Sequence, residues 1–424
     1  MLIYFKVGNY KSIKDPIVVN FMATAIAEHN ESNVHRIAKD NLLKTILLYG
    51  PNASGKSKVI DAIGFFRNFI LGSAGDAHSI RTINVEPFLL NDRTRLEPSS
   101  FEAEFIISNK RYRYGFETTA EAIKKEWLLE VKATTEQEIF LRIGQQFEIN
   151  SKKFVHAQGL EVRTRSNALF LSVSDQWNVP LAHDIINWFD SIYTIDGLKE
   201  KAFKVNTTKM LKSSQYNSYI NELIQTADLG INALEVVDLP SVFDNFRELS
   251  SSYDFEQQTD AKHLNRINAL HEVQNDQGNF VDMERFSMED MESQGTQKFY
   301  NLTGVLLEAI LEGRLVIIDE FDARLHTLLS RSIIQLFNNA RIKSSGQLLA
   351  ACHDTALLDR DLLRRDQICF LEKNQSGATT LTNLAEYKVR KESPYSKNYL
   401  EGKYGAIPFI KNLENSFSDG QEEV

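Results

Sequence analysis

Hydrophobic and polar residues alternate with a period of two over the first positions of the chain, which predicts strands in "LIYFKV" and in "PIVVNF" after Pro16. Gly8 and Asn9 mark the turn between them. The apolar run "TILLYG", Thr45 to Gly50, reads as a strand buried on both faces and fed by this small sheet. Strand-like text resumes from Phe101 to Asn150, where "FEAEFIIS" and "RYRYGFET" flank an Asn109-Lys110 turn and "KKEWLLEVKA" and "EIFLRI" follow. An antiparallel meander is expected there.

From about Pro180 the spacing turns helical in "LAHDIINWFDSIY" and "NSYINELIQTADLGINAL", then polar and rich in serine and glutamine around Ser250 to Gln258. After Glu292 helix and strand alternate: "TQKFYNLTGVLLEAILEG", "RLVIIDE", "RLHTLLSRSIIQLFNNAR", "QLLAACHD", "DTALLDRDLLRR" and "QICFLEK". That order predicts a parallel sheet flanked by helices, and so an α/β fold class. The expected organisation is a first lobe over 1–150, a mainly helical insert with a flexible part over 151–286, a second lobe over 287–390 and a C-terminal tail over 391–424.

Charge narrows the function classes. Forty-eight basic residues against 57 acidic ones give a formal charge of -9, so no global basic field draws this chain to nucleic acid. Short groups such as "NKRYRYG" at Asn109, "RTR" at Arg163 and "KVRK" at Lys388 read either as a local nucleic-acid surface or as a solvated face. Cys352 and Cys369 each sit in an apolar run, which suits a reducing compartment. Without a bilayer-length apolar stretch or a signal-peptide pattern, a cytoplasmic protein is expected. The nine histidines show no metal-ligand spacing, so "HEVQN" at His271 implies no metalloprotease.

The chemistry is concentrated in "LLYGPNASGKSKVIDAI". Gly50, Gly55, Lys56 and Ser57 fit the phosphate-cradling pattern G-x-x-x-x-G-K-[ST] between a buried strand and a helix. Asn52, Ala53, Ser54 and Gly55 would wrap phosphate oxygens, Lys56 would neutralise the outer phosphates of ATP, and Ser57 would ligate Mg2+. "RLVIIDEFD" supplies the carboxylates: Asp319 for the metal and Glu320 to orient and deprotonate the attacking water. His353, ending "QLLAACHD", either reaches the γ-phosphate or caps a strand. The guanine-reading N-K-x-D motif is missing, which disfavours a GTPase.

The order of "NYKSI", P-loop, long insert, "ESQGTQKFY", "VIIDE", "ARLH" and "ACHD" resembles the ABC-type ATPases of the SMC, RecF and OLD superfamily. It is similar, more closely, to the ATPases of bacterial anti-phage defence pairs of the AbiL/Rlo, PARIS and Septu kinds, some of which act by abortive infection. The resemblance implies an ABC-type ATPase head with an N-terminal antiparallel β-subdomain and a helical insert. It also implies a homo-oligomer in which each ATP lies between the P-loop of one head and the signature Ser293, Gly295, Thr296 of another. Those three residues read equally as an ordinary helix N-cap. The resemblance further makes Asp322 to His326 the dimer-facing loop, sets Asn9 to Ser12 near the nucleotide with Lys11 as a phosphate contact, and points to Phe88 to Asn91 for the Q-loop.

Two departures matter. The insert is too short for an SMC arm, and the text after His353 is too short for an OLD-type TOPRIM nuclease. The expected function is thus an ATPase that gates a separate effector, such as a TOPRIM or HNH nuclease. Alternatives are a DNA-repair or chromosome-maintenance ATPase acting directly on DNA, and a transporter subunit. The insert and the tail, with Tyr395, Tyr399 and Tyr404, read either as a docking surface or as local packing.

Overall fold

A computed structural model describes residues 1–37, 39–75, 82–132, 135–227, 229–238, 265–342, 345–388 and 393–407. The polar stretch Ser250 to Gln258 and most of "KVRK" lie outside the described residues.

The chain opens with β1 (Leu2–Gly8) and β2 (Ile17–Asn20), a ribbon of β3 (Val34–Ile37) and β4 (Asp40–Leu43), then β5 (Thr45–Tyr49) and helix α1 (Lys56–Gly72). The meander follows as β6 (Ser99–Ile107), β7 (Lys110–Thr118), β8 (Ile123–Val131), β9 (Glu136–Ile143) and β10 (Gln146–Ile149). Next come α2 (Phe170–Gln176), α3 (Pro180–Asp190), β11 (Tyr193–Asp196), α4 (Lys204–Lys212), α5 (Asn217–Thr226), β12 (Ala233–Asp238), β13 (Asn265–Gln274) and β14 (Phe280–Ser287). The last part holds α6 (Gln294–Glu312), β15 (Leu315–Asp319), α7 (Thr327–Phe337), β16 (Gln347–Ala351), β17 (Ile368–Lys373), β18 (Thr379–Asn383) and α8 (Tyr395–Leu400).

Two large sheets define an α/β architecture. One is antiparallel, in the order β10-β9-β8-β7-β6-β1-β2, and the other runs β11-β15-β16-β5-β17-β18 with only the β17-β18 pair antiparallel. The alternation of side chains along β5 explains its unbroken apolar text. Ile46 and Leu48 face a core shared with α1 and the antiparallel sheet, while Leu47 and Tyr49 face a second core under α6 and α7. Val59, Ile63, Phe66 and Ile70 of α1 recur at helical spacing and are buried in the first core, which holds the helix between the sheets.

Among its described residues, the stretch 151–286 holds helices α2 to α5 and also four strands that the helical reading did not include. β12, β13 and β14 form their own antiparallel sheet, and β11 leaves the insert to pair in parallel with β15 in the central sheet. Four residues, "YTID", are too few to display a period against helical neighbours. The helix expected in "DTALLDRDLLRR" is also replaced, by a short turn at Thr355–Leu357. Asp354 and Asp359 accept hydrogen bonds from the N–H groups of Ala356 and Asp361, and this local competition opposes a continuous helix.

The tail tyrosines are packed rather than exposed. Tyr395, Tyr399 and Tyr404 are buried, and the rings of Tyr399 and Tyr404 stack on Phe370 with centroids 5.2 and 5.4 Å apart. These aromatics belong to the second core and offer no docking face.

One histidine makes the fold acid-sensitive. His35 on β3 sets Nε2 2.9 Å from the Gly346 carbonyl, and burial, reinforced by Lys44, holds its pKa down at about 4. A folded pKa below the unfolded value means stability present above about pH 6.5 and lost as pH falls toward 4. His35→Gln is therefore expected to flatten the decline between pH 7 and pH 4.5 by about 1–2 kcal/mol, read by urea unfolding at both pH values. Identical slopes in the two proteins would refute it.

Candidate functional site

At the end of β5 the chain turns through Gly50 to Gly55 and enters α1 at Lys56. Gly55 has φ 110°, and a Cβ there would lie 2.2 Å from Thr379 Oγ1, so conformation and space both require glycine. Thr379 Oγ1 lies 2.9 Å from Ser12 Oγ and donates to the Ser54 carbonyl at 3.0 Å. The turn after β1 and the start of β18 thus clasp the loop. Asn52 and Ala53 are exposed at its tip, and Ser54 is buried with an Oγ that has no hydrogen-bond partner among the described residues.

Lys56 is buried, and its ammonium donates to the loop's own carbonyls, Gly50 O at 2.8 Å and Pro51 O at 3.3 Å. Burial pushes its pKa down, and Glu320, Asp319 and Asp322 pull it back up. Those carboxylates come from the end of β15. Asp319 Oδ1 accepts the Glu320 N–H at 3.1 Å, and Glu320 adopts φ 48°, a left-handed conformation uncommon outside glycine. His353, just past β16, sets Nε2 3.6 Å from Glu320 Oε1. Since β15, β16 and β5 are neighbours, their carboxyl ends bring Glu320, His353 and the Lys56 loop to one sheet edge.

Ser57, Asp319 and Lys11 line one cleft of about 810 Å³. Lys11 Nζ lies 2.6 Å from Asp61 Oδ2, which also accepts the Tyr10 hydroxyl at 2.8 Å. Asn9 faces elsewhere: its amide donates to the Thr94 and Glu97 carbonyls, and its Oδ1 accepts the Phe88 N–H. Phe88 to Asn91 do not line the cleft. Thr82, Ile83, Asn84 and Glu86 do.

The remaining expected residues stand apart. Ser293 is exposed and caps α6, accepting the Thr296 N–H at 3.1 Å with Thr296 Oγ1 2.8 Å away. Neither they nor Gly295 line the cleft. A Cβ on Gly295 would meet the Arg324 carbonyl at 2.6 Å, so this segment lies against the end of the loop that follows Glu320. His326 closes that loop as the cap of α7, its Nδ1 accepting the Leu328 N–H at 3.2 Å.

Two participants were not singled out from the sequence. Thr379 lies 325 positions from Ser54 in the chain and has no local signature. Lys298 shares a helical face with Leu302, Val305 and Ala309, all buried, and a cation in phase with an apolar stripe was its available signal. Within the candidate nucleic-acid groups Arg111 pairs with Glu104 and Asp40, Arg113 pairs with Glu104 and Glu136, and Arg163 lies over the Trp177 ring.

The residues present fit a magnesium-bound nucleotide. Ser57 and Asp319 offer oxygen donors, the set Mg2+ prefers, and the Ser54 Oγ, without a partner among the described residues, is available to an anion, as is the Lys56 charge. Among the described residues no cluster of three or more His, Cys, Asp or Glu is arranged to hold a metal alone.

The chain belongs to the family described as "AAA domain, putative AbiEii toxin, Type IV TA system", whose model matches residues 46–359, well over half of its length. No match was found among the curated proteins. Solved structures that are similar include an SMC head bound to the C-winged helix domain of ScpA, with TM-score 0.47 and 14% identity over 91% of this chain and 99% of that one. An SMC head domain from Thermotoga maritima gives 0.41 and 12% over 90% and 98%. An Smc head with an extended coiled coil, bound to the C-terminal domain of ScpA derived from Pyrococcus furiosus, gives 0.39 and 12% over 95% and 99%. Among the described residues no helix is long and apolar enough to cross a membrane.

Proposed function

We propose that this chain hydrolyses ATP with Mg2+, closes as a head-to-tail pair around the nucleotide, and uses that cycle to regulate a separate effector, such as a TOPRIM or HNH nuclease, in anti-phage defence. The observation that carries the reading is the meeting of Lys56, Asp319, Glu320 and His353 at three adjacent strand ends, with Ser57 and Asp319 on the adjoining cleft and Ser293 exposed at the start of α6. Each copy holds one set of phosphate donors at its P-loop and presents the other outward, an arrangement that suits a second copy.

Ser57 and Asp319 would hold the cation, which when bound neutralises charge on the transferred phosphoryl group. Lys56 turns from its loop carbonyls to the outer phosphates. The Glu320 carboxylate orients the attacking water and accepts its proton, and His353, beside that carboxylate, faces the γ-phosphate. A hydrolysis cycle can shift a surface between open and paired states by the nucleotide's differential affinity for the two. The family description, a toxin of a type IV toxin–antitoxin system, supports work beside a second gene product. The pairing of Arg111 and Arg113 with carboxylates weighs against direct action on DNA.

Co-expression with the neighbouring open reading frame, followed by purification and mass measurement with and without ATP, tests the reading. A nucleotide-dependent complex is expected. Two proteins that migrate separately under both conditions, with phage resistance surviving deletion of the neighbour, would overturn it.

A further inference from the structure

We propose that Lys298 and Asp322 are positioning residues that join the Ser293–Thr296 segment to Glu320 and His353 within one chain, so that engagement of that segment sets the geometry of the hydrolytic centre. The proposal rests on the reading of the site as an ATPase.

Lys298 lies on α6, five residues after the Ser293 cap, and its side chain is fully buried. Its ammonium donates to three carbonyls of the loop that leaves β15: Glu320 O at 3.0 Å, Phe321 O at 3.1 Å and Ala323 O at 2.7 Å. All three N–H donors of the lysine are engaged by backbone. Burial pushes its pKa down to about 8, while Glu200, Asp322 and Glu320 favour the charged form.

The same loop departs from ordinary backbone at Glu320, φ 48°, and Arg324, φ 65°. Conformations of this kind persist when surrounding contacts over-determine them. The Lys298 bonds bracket Glu320 and the residues after it, and Gly295 closes on Arg324 at the far end. A shift of the Ser293 segment therefore cannot occur without moving the loop that carries Glu320.

Asp322 continues the connection. Its Oδ2 accepts the N–H of His353 at 2.9 Å and also that of Asp354, while its Oδ1 is buried without a partner among the described residues. The backbone of His353 is thus fixed to the loop that Lys298 holds, and the His353 side chain lies beside Glu320. The connection runs from signature cap to lysine, to loop, to aspartate, to histidine. Neither Lys298 nor Asp322 is assigned a nucleotide contact, since the Lys298 ammonium is engaged by three backbone carbonyls and Asp322 Oδ2 by two backbone N–H groups.

Lys298→Met and Asp322→Asn in the full chain, with Glu320→Gln as control, test the idea through fluorescent-nucleotide binding and steady-state hydrolysis. For both variants Kd for Mg-ATP is expected within about threefold of native and kcat lower by about 30-fold or more, the pattern of an interaction needed only in turnover. The double variant is expected to be no slower than the worse single one, because two parts of one connection do not act additively. Losses that multiply, or a folded Lys298→Met with native kcat, would overturn the proposal. Should Lys298→Met fail to fold, Asp322→Asn decides alone, with native kcat counting against it. A native chain inert toward ATP would remove the underlying reading and the proposal together, whereas native turnover that Glu320→Gln abolishes and these variants spare would remove the proposal only.

Discussion

Glu320→Gln is expected to keep Mg-ATP bound and nearly stop its turnover, whereas Lys56→Ala is expected to weaken nucleotide binding itself. The two residues sit at the same sheet edge but act at different points of the reaction. Lys56 is a buried cation whose present partners are two loop carbonyls at 2.8 and 3.3 Å, so phosphate oxygens replace weaker acceptors when nucleotide enters. Removing one charge-assisted contact of this kind costs about 1.5–3 kcal/mol, or roughly 10- to 100-fold in Kd. Glutamine at 320 keeps the shape and loses the base. The expected fall in kcat is about 10³-fold, the scale of one transition-state contact. Titration with labelled ATP and a phosphate-release assay separate the two effects. Unaltered ATP affinity in Lys56→Ala would sink the assignment of the loop as a phosphate cradle.

The parts of this site that were legible in the sequence are those written in contiguous residues. A buried strand, a glycine-bounded loop and a helix follow one another from Thr45 to Gly72, so backbone position follows from local text. The apolar runs "RLVII" and "QLLAA" likewise announced β15 and β16, because strands buried on both faces carry no polar alternation to confuse with helix. What could not be read lies in pairs distant along the chain. Thr379 fixes the loop through Ser54 and Ser12, and Lys298 and Asp322 act through backbone carbonyls and N–H groups, which any residue supplies and no sequence pattern marks.

The strands of the insert were missed for a different reason. "NRINALHEVQ" alternates only in part, and β14 is exposed along most of its length, so the apolar face that reveals a strand is nearly missing. The packing of Tyr399 and Tyr404 was left open because their partner, Phe370, precedes them by more than twenty residues. Burial is decided by that partner rather than by the polar text around each tyrosine.

Mixing two inactive variants is expected to restore hydrolysis if each ATP is completed by a second copy. Ser293→Asp is chosen because aspartate caps a helix as well as serine does, so the start of α6 keeps its bond from the Thr296 N–H. If Ser293 serves only as that cap, Ser293→Asp retains activity. If Ser293 meets a γ-phosphate presented by another molecule, the new carboxylate repels it, and hydrolysis falls by about 10²-fold or more while binding to single heads is kept. Lys56→Ala is inactive for the opposite reason, with its P-loop broken and its Ser293 cap intact. In a mixed pair one composite site carries both defects and the other carries neither. At equal concentrations half of the pairs are mixed and each regains one of two sites, so activity is expected to reach about a quarter of native, rising from the near-zero of either variant alone. Light scattering with ATP establishes that mixed pairs form, and phosphate release measures the recovery. A mixture that pairs yet stays inactive at every ratio would refute the shared site, since a centre complete within one chain cannot be repaired by a neighbour whose own P-loop is broken.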